Sequence, residues 1–260
     1  MDLGLHGRAA IVTGASRGIG RAVAEALVAE GASVLLVARS AAALDEVAAD
    51  LGPAAVACPA DLTDPASADV AATRCWDAFG RLDVLVNNAG DANPVPLDRL
   101  TDDDWRRGFE LTFFAAERMA RACAPVMRTA GWGRMVHVAS ISGREPDPAF
   151  APYAAAKAAL LNLSTSLSRA YAADGVLSSC VVPGITLTEL VAQNAAATAE
   201  RRGTTVEEVM DRMLAKQQVA AGRFGTVEEV AAAVVFLCGE QASWITGATL
   251  EVDGGTLRSV

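Results

Sequence analysis

From Arg8 onward the chain alternates short, β-rich apolar runs with longer stretches whose apolar residues recur at helical spacing. The runs occupy residues 9–13, 33–38, 54–58, 84–86, 135–139, 179–182 and 248–252, each separated from the next by enough chain for a helical crossover. This rhythm predicts the doubly wound α/β class: a mainly parallel seven-stranded sheet with helices on both faces. Helix starts are expected at Asp64 before Pro65, at Thr101 with Asp104 three residues on, and at Thr226 with Glu229 three residues on. One segment breaks the rhythm. Residues 186–222 form a long, helix-prone, charge-rich excursion, read as a substrate lid in preference to a plain surface hairpin.

Composition narrows the class. Hydrophobic residues make up 52% of the 260 and charged ones 20%, far from the disordered range, and no apolar run reaches the roughly 18 residues of a membrane span. Thirty-one acidic residues against twenty-two basic ones leave a net charge of −9, which repels polyanions, so neither nucleic acid nor a membrane is expected as a partner. The first eight residues lack the charged head and apolar stretch of a signal peptide. The five cysteines are odd in number and never spaced as C-x-x-C, so a cytoplasmic location and no metal site are expected.

The first run leads directly into T-G-A-S-R-G-I-G at 13–20 and then into an alanine-rich helical stretch. Glycines here allow a tight turn and close approach of the backbone to a pyrophosphate, which the helix N-terminus favours. The second run ends in Ala38-Arg39-Ser40, without the carboxylate that would bind a ribose 2′-hydroxyl. Arg39 and Arg17 instead offer two guanidinia to a 2′-phosphate, so NADP is expected over NAD.

The chemistry concentrates after the fifth run. Ser140 is followed thirteen residues later by Tyr153, and Lys157 lies four beyond on the same helical face. The chain holds only two tyrosines and two lysines, which makes this pairing improbable by accident. An ammonium beside a phenol is expected to lower the phenol's pKa and make it a proton donor and acceptor, with the Ser140 hydroxyl holding the reacting oxygen. His137, flanked by valines, reads as a satisfied histidine packed in the core or behind the site, not as a base.

Taken together, these residues resemble the short-chain dehydrogenase/reductase family along essentially the whole chain. The turn at 13–20 matches its T-G-x-x-x-G-x-G, Asp61-Leu62 its adenine-contacting pair, Asn87-Asn88-Ala89-Gly90 its N-N-A-G, Pro183-Gly184 with Thr188 its P-G-x-x-x-T, and Val252-Asp253-Gly254-Gly255 its C-terminal signature. The resemblance implies one dinucleotide-binding oxidoreductase domain over 1–260. It implies NADP bound by Gly14, Ser16, Arg17, Gly18, Ile19, Gly20, Arg39, Asp61, Leu62, Asn88, Ala89, Gly90, Tyr153, Lys157, Pro183, Thr186 and Thr188. It also implies catalysis by Ser140, Tyr153 and Lys157: NADPH-dependent reduction of a small-molecule ketone to a secondary alcohol, with a 3-oxoacyl thioester or polyketide-like substrate. The alternatives are an alcohol or polyol dehydrogenase working toward oxidation, and a non-catalytic cofactor-binding regulator. Where the family usually carries an Asn that holds the water of a proton relay, this chain has Thr112, expected to hold that water through its hydroxyl. Ser179 likewise stands where an Asn is frequent. Helices over 104–128 and 149–173, with small residues such as Ala154, Ala158 and Ala159, are expected to pack a homotetramer.

Overall fold

A computed structural model describes residues 2–258, so residues 1, 259 and 260 of the expected domain lie outside the described residues. Seven strands, β1 (Ala9–Thr13), β2 (Ser33–Ala38), β3 (Ala55–Pro59), β4 (Val84–Asn87), β5 (Gly133–Val138), β6 (Val176–Pro183) and β7 (Thr249–Val252), form one sheet. Its order is β3-β2-β1-β4-β5-β6-β7, and every pairing is parallel. The helices are α1 (Gly18–Ala29), α2 (Ala41–Leu51), α3 (Ser67–Phe79), α4 (Asp102–Phe109), α5 (Ala115–Ala130), α6 (Ala151–Tyr171), α7 (Glu189–Arg202), α8 (Val206–Gln217) and α9 (Val227–Cys238).

Because side chains alternate along a strand, the sheet builds two cores. Ala10, Val12, Val34 and Leu36 face α1, α2 and α9, while Ile11, Leu35, Val37 and Leu85 face α3 and α5. Each fully buried Leu, Ile or Val contributes roughly 1.5–3 kcal/mol of transfer free energy, which is why these runs dictate the layers. From β1 the chain winds outward through β2 and β3, then returns to start β4 on the other side of β1. The resulting crevice at the carboxyl ends of β1 and β4 is the ligand site of open α/β sheets.

The elements agree with the sequence pattern except at their edges and in two helices. Ala54 falls in a short turn of 3-10 helix, and β3 runs to Pro59. β5 and β6 begin earlier than the apolar runs, because Gly133, Arg134, Val176 and Leu177 also join the ladder. Asp64 does not start a helix: its carboxylate accepts from the Ala66 amide within a turn, and α3 opens at Ser67. The long helix expected over 104–128 is interrupted between α4 and α5 by a π-helical turn, Glu110–Phe114, a feature often found at functional sites. The 186–222 excursion is a hairpin of α7 and α8 closed over its own small core of Ala195, Ala199 and Val209. No helix among the described residues is long and apolar enough to cross a membrane.

Candidate active site

The glycine-rich turn leaves β1 and enters α1 with Gly14 and Gly18 at positive φ, 67° and 58°, a conformation in which a side chain is strained. At Gly20 the restriction is space, since a Cβ there would lie 2.3 Å from the Gly14 carbonyl oxygen. α1 begins without a side-chain cap and without an acidic residue in its first turn, so its leading amides are open to an anion. Thr13 ties this turn to the N-N-A-G turn after β4. Its hydroxyl accepts from the amides of Asn88 (2.9 Å) and Ala89 (3.0 Å), and the Asn88 side chain donates back to the Thr13 carbonyl (2.9 Å).

These turns floor a groove of about 830 Å³. Of the expected cofactor residues, Gly14, Ser16, Arg17, Gly18, Ile19, Arg39, Leu62, Asn88, Ala89, Gly90 and Thr188 line it. Arg17 and Arg39 are exposed, and among the described residues neither forms an ion pair. Ala38 lines the same end and brings no carboxylate. The uncapped helix start, the steric demand for glycine and the two unpaired guanidinia fit a phosphorylated dinucleotide.

At the carboxyl end of the sheet, Ser140 follows β5 and its Oγ accepts from the Ser142 amide (3.1 Å). Tyr153 and Lys157 come from the first two turns of α6. Tyr153 is half-buried, and Lys157, 3% exposed, has its Nζ 5.5 Å from the centre of the Tyr153 ring. Nζ donates to the carbonyl oxygen of Val138, 2.5 Å away, at the end of β5. Burial pulls the Lys157 pKa down to about 8. Contrary to the sequence expectation, the Tyr153 pKa is raised: loss of solvent dominates, and the hydrogen bond with Ser140 pulls it back only in part. The three side chains together offer a positioned proton donor, a hydroxyl for the reacting oxygen and an ammonium near neutrality.

A family model described as short chain dehydrogenase matches residues 8–199. The chain belongs to this family. The short-chain dehydrogenases similar to it include the 3-oxoacyl-[acyl-carrier-protein] reductase FabG of Salmonella typhimurium, 38% identical over 253 residues that cover 97% of this chain and 98% of that protein. The D-beta-hydroxybutyrate dehydrogenase of Rhizobium meliloti is 32% identical over 95% of this chain and 98% of that protein. Among solved structures, L-sorbose reductase from Gluconobacter frateurii, complexed with NADPH and L-sorbose, superposes with a TM-score of 0.96 at 33% identity, covering 100% of both chains.

Against that short-chain dehydrogenase frame, several expected residues sit behind the groove or beside it. Gly20 packs under the turn, and buried Pro183 and Thr186 support the loop after β6, with the Thr186 hydroxyl donating to the Gly184 carbonyl. Asp61 directs one carboxylate oxygen to the amide and hydroxyl of Thr63, which keep its pKa low, and it feels the Arg39 charge. Thr112 lies inside the π-helical turn, 1% exposed, its hydroxyl without a partner. A Cβ added at Gly90 would be 3.6 Å from Lys157 Nζ and 3.8 Å from Thr112 Oγ1, so both atoms border one gap. Ser179 Oγ, buried on the strand, also has no partner. His137 is only half satisfied. Its Nδ1 meets Asn87 Nδ2 at 3.2 Å, its Nε2 meets nothing, and burial with the Lys157 charge holds its pKa down at about 4. The sequence reading quoted Thr13 as the first letter of the glycine-rich motif but gave it no role, and it missed the groove-lining Leu111, Glu189 and Leu190, which carry no signal in the sequence.

Proposed function

We propose that this oxidoreductase reduces a ketone to a secondary alcohol with NADP(H). The observation that supports the reading is the cluster of Ser140, Tyr153 and Lys157, whose Nζ lies beside Gly90, a residue lining the same groove as the two unpaired guanidinia of Arg17 and Arg39. The amides of α1 and the turns at Gly14 and Asn88 would hold the pyrophosphate, and Arg17 and Arg39 the 2′-phosphate. When bound, the nicotinamide supplies the hydride. Tyr153 delivers the proton to the carbonyl oxygen, which the Ser140 hydroxyl orients and steadies as its charge grows. Lys157, with a pKa of about 8, holds a proton that can restore the phenol. Thr112 serves this proton route through a water in the gap at Gly90.

For the substrate, we favour a 3-oxoacyl thioester or polyketide-like ketone, a choice supported by the FabG similarity, while the sorbose reductase similarity keeps hydroxylated ketones in the trial set. The α7–α8 hairpin is read as the lid over this substrate. Lys216 of α8 pairs with Asp147 (2.5 Å), on the segment joining Ser140 to Tyr153. Assembly as a homotetramer through α5 and α6 in the cytoplasm completes the reading. Ala158 is exposed and available for such packing, whereas Ala154 is buried inside its own protomer. The test is consumption of NADPH and of NADH against a panel of oxoacyl thioesters, ketoses and simple ketones. Turnover with NADPH on at least one ketone is expected, and none on any would reject the reading.

A further inference from the structure

Among the described residues, five buried side-chain polar atoms lack a partner: Thr112 Oγ1, Arg134 Nε, His137 Nε2, Ser179 Oγ and Thr204 Oγ1. Two of them belong to residues beside Lys157. Thr112 Oγ1 borders the same gap as Nζ, and His137 directly precedes Val138, whose carbonyl receives the Nζ proton. His137 and Asn87 are paired across β5 and β4, and the Asn87 amide also donates to the carbonyl of Ala116, one turn beyond Thr112 on the same helical run. The Asn87 amide therefore has both protons committed, one to Ala116 and one to His137 Nδ1, which leaves the ring proton of the neutral histidine on Nε2.

We propose that His137 is a positioning residue that, with Thr112, holds one buried water beside Lys157 Nζ. The proposal rests on the proton route of the preceding section and supplies what a single hydroxyl cannot. A water needs two to four polar partners to stay in a buried site. It accepts from His137 Nε2–H and from Lys157 Nζ–H, and it donates to Thr112 Oγ1. Thr112 offers the water one hydroxyl, and the His137 ring provides a second polar group from the neighbouring strand. The other ionisable groups near Lys157 are Tyr153 and the Cys180 thiol; burial keeps Cys180 protonated, with its pKa pushed up to about 11. In the proton step Lys157 returns one proton to the Tyr153 phenolate, the resulting amine takes one from the water, and the water recovers one from solvent, so charge and protons balance at each hop.

Two measurements decide it. A high-resolution crystal structure of the wild-type protein is expected to show a water within hydrogen-bonding distance of Thr112 Oγ1 and His137 Nε2, missing in His137→Phe. A dry gap, or a protein atom on Nε2, overturns the proposal whatever the enzyme turns over. In steady-state kinetics with NADPH and a ketone from the panel, His137→Phe is expected to lose at least about tenfold in kcat with KM for NADPH within twofold, and its solvent isotope effect to rise. His137→Asn, which restores a side-chain donor, is expected to recover most of that loss. His137→Phe combined with Thr112→Val is expected to fall no further than the worse single variant, because both remove the same water. Independent, multiplying losses, or wild-type kcat in His137→Phe, overturn it. If wild-type protein reduces no ketone, the functional reading fails while the crystallographic test still stands.

Discussion

Lys157 Nζ, 3% exposed, donates to the backbone carbonyl of Val138, fastening α6 to the end of β5 at the point where Ser140 leaves the sheet. The contact places the ammonium behind the phenol of Tyr153 and removes it from water. Its pKa falls from 10.5 to about 8.

That shift has a sign in stability. Below pH 8 both folded and unfolded chains hold the Lys157 proton, and the folded state bears the full cost of the buried charge. Between about 8 and 10.5 the unfolded chain binds the proton and the folded chain does not, so stability rises with pH across that window. Lys157→Met removes the charge. Near pH 7 the variant is expected to melt higher than wild type, at roughly 2–4 °C for each kcal/mol recovered in a chain of this size, while losing turnover. The difference in melting temperature between the two proteins should shrink from pH 8 to 10; a constant difference would show that Lys157 is not titrating there.

Arg39→Ala is expected to weaken NADPH by about 1–3 kcal/mol, the contribution of one charge-assisted contact, and NADH far less. Ala38→Asp should carry preference further toward NADH by adding repulsion and an acceptor for a 2′-hydroxyl. Equal weakening of both cofactors by Arg39→Ala, measured by fluorescence titration, would remove the 2′-phosphate from this end of the groove.

Gly20→Ala tests the turn itself. The new methyl would meet the Gly14 carbonyl at 2.3 Å and the Asn88 side-chain amide at 2.5 Å, and that amide cannot move away without breaking its hydrogen bonds to the Thr13 and Gly14 carbonyls. A loss of about 1–3 kcal/mol in stability, typical of overpacking, is expected together with loss of dinucleotide affinity. Thermal melts with and without NADPH check both.

The lid reading turns on Lys216 and Asp147. Their side chains are partly exposed, so the pair should contribute only about 0–1 kcal/mol to global stability. Lys216→Ala is expected to leave the melting temperature and NADPH affinity nearly unchanged and to raise KM for the ketone severalfold. An unchanged ketone KM would reduce the hairpin of α7 and α8 to a surface feature.

Much of this was legible in the chain because short-range rules govern it. Alternating apolar runs determine which strand faces meet which helices, and the four-residue spacing of Tyr153 and Lys157 puts both on one side of α6 whatever the tertiary context. The cap pairs Thr101–Asp104 and Thr226–Glu229 formed as reciprocal hydrogen bonds. What escaped depends on packing. Residues 109–114 read as ordinary helix, and the π-helical turn that buries Thr112 is invisible in a periodicity that differs by one residue. The Tyr153 phenol was expected to be acidified by Lys157, but solvent loss, which no spacing reveals, outweighs that effect. His137 was read as satisfied because a strand flanked by valines signals burial and says nothing about which ring nitrogen finds a partner.

The measurement closest to the central claim is the Tyr153→Phe variant, assayed for NADPH-dependent ketone reduction and, in the same preparation, for NADPH binding. In the proposed mechanism the hydroxyl of Tyr153 delivers the proton to the reacting oxygen, and Phe keeps the ring available for any cofactor contact. Turnover should therefore fall at least about a hundredfold, as expected for loss of a general acid, with NADPH affinity within twofold of wild type. Activity within tenfold of wild type would mean that another group delivers the proton and that the Ser140, Tyr153 and Lys157 assignment is wrong.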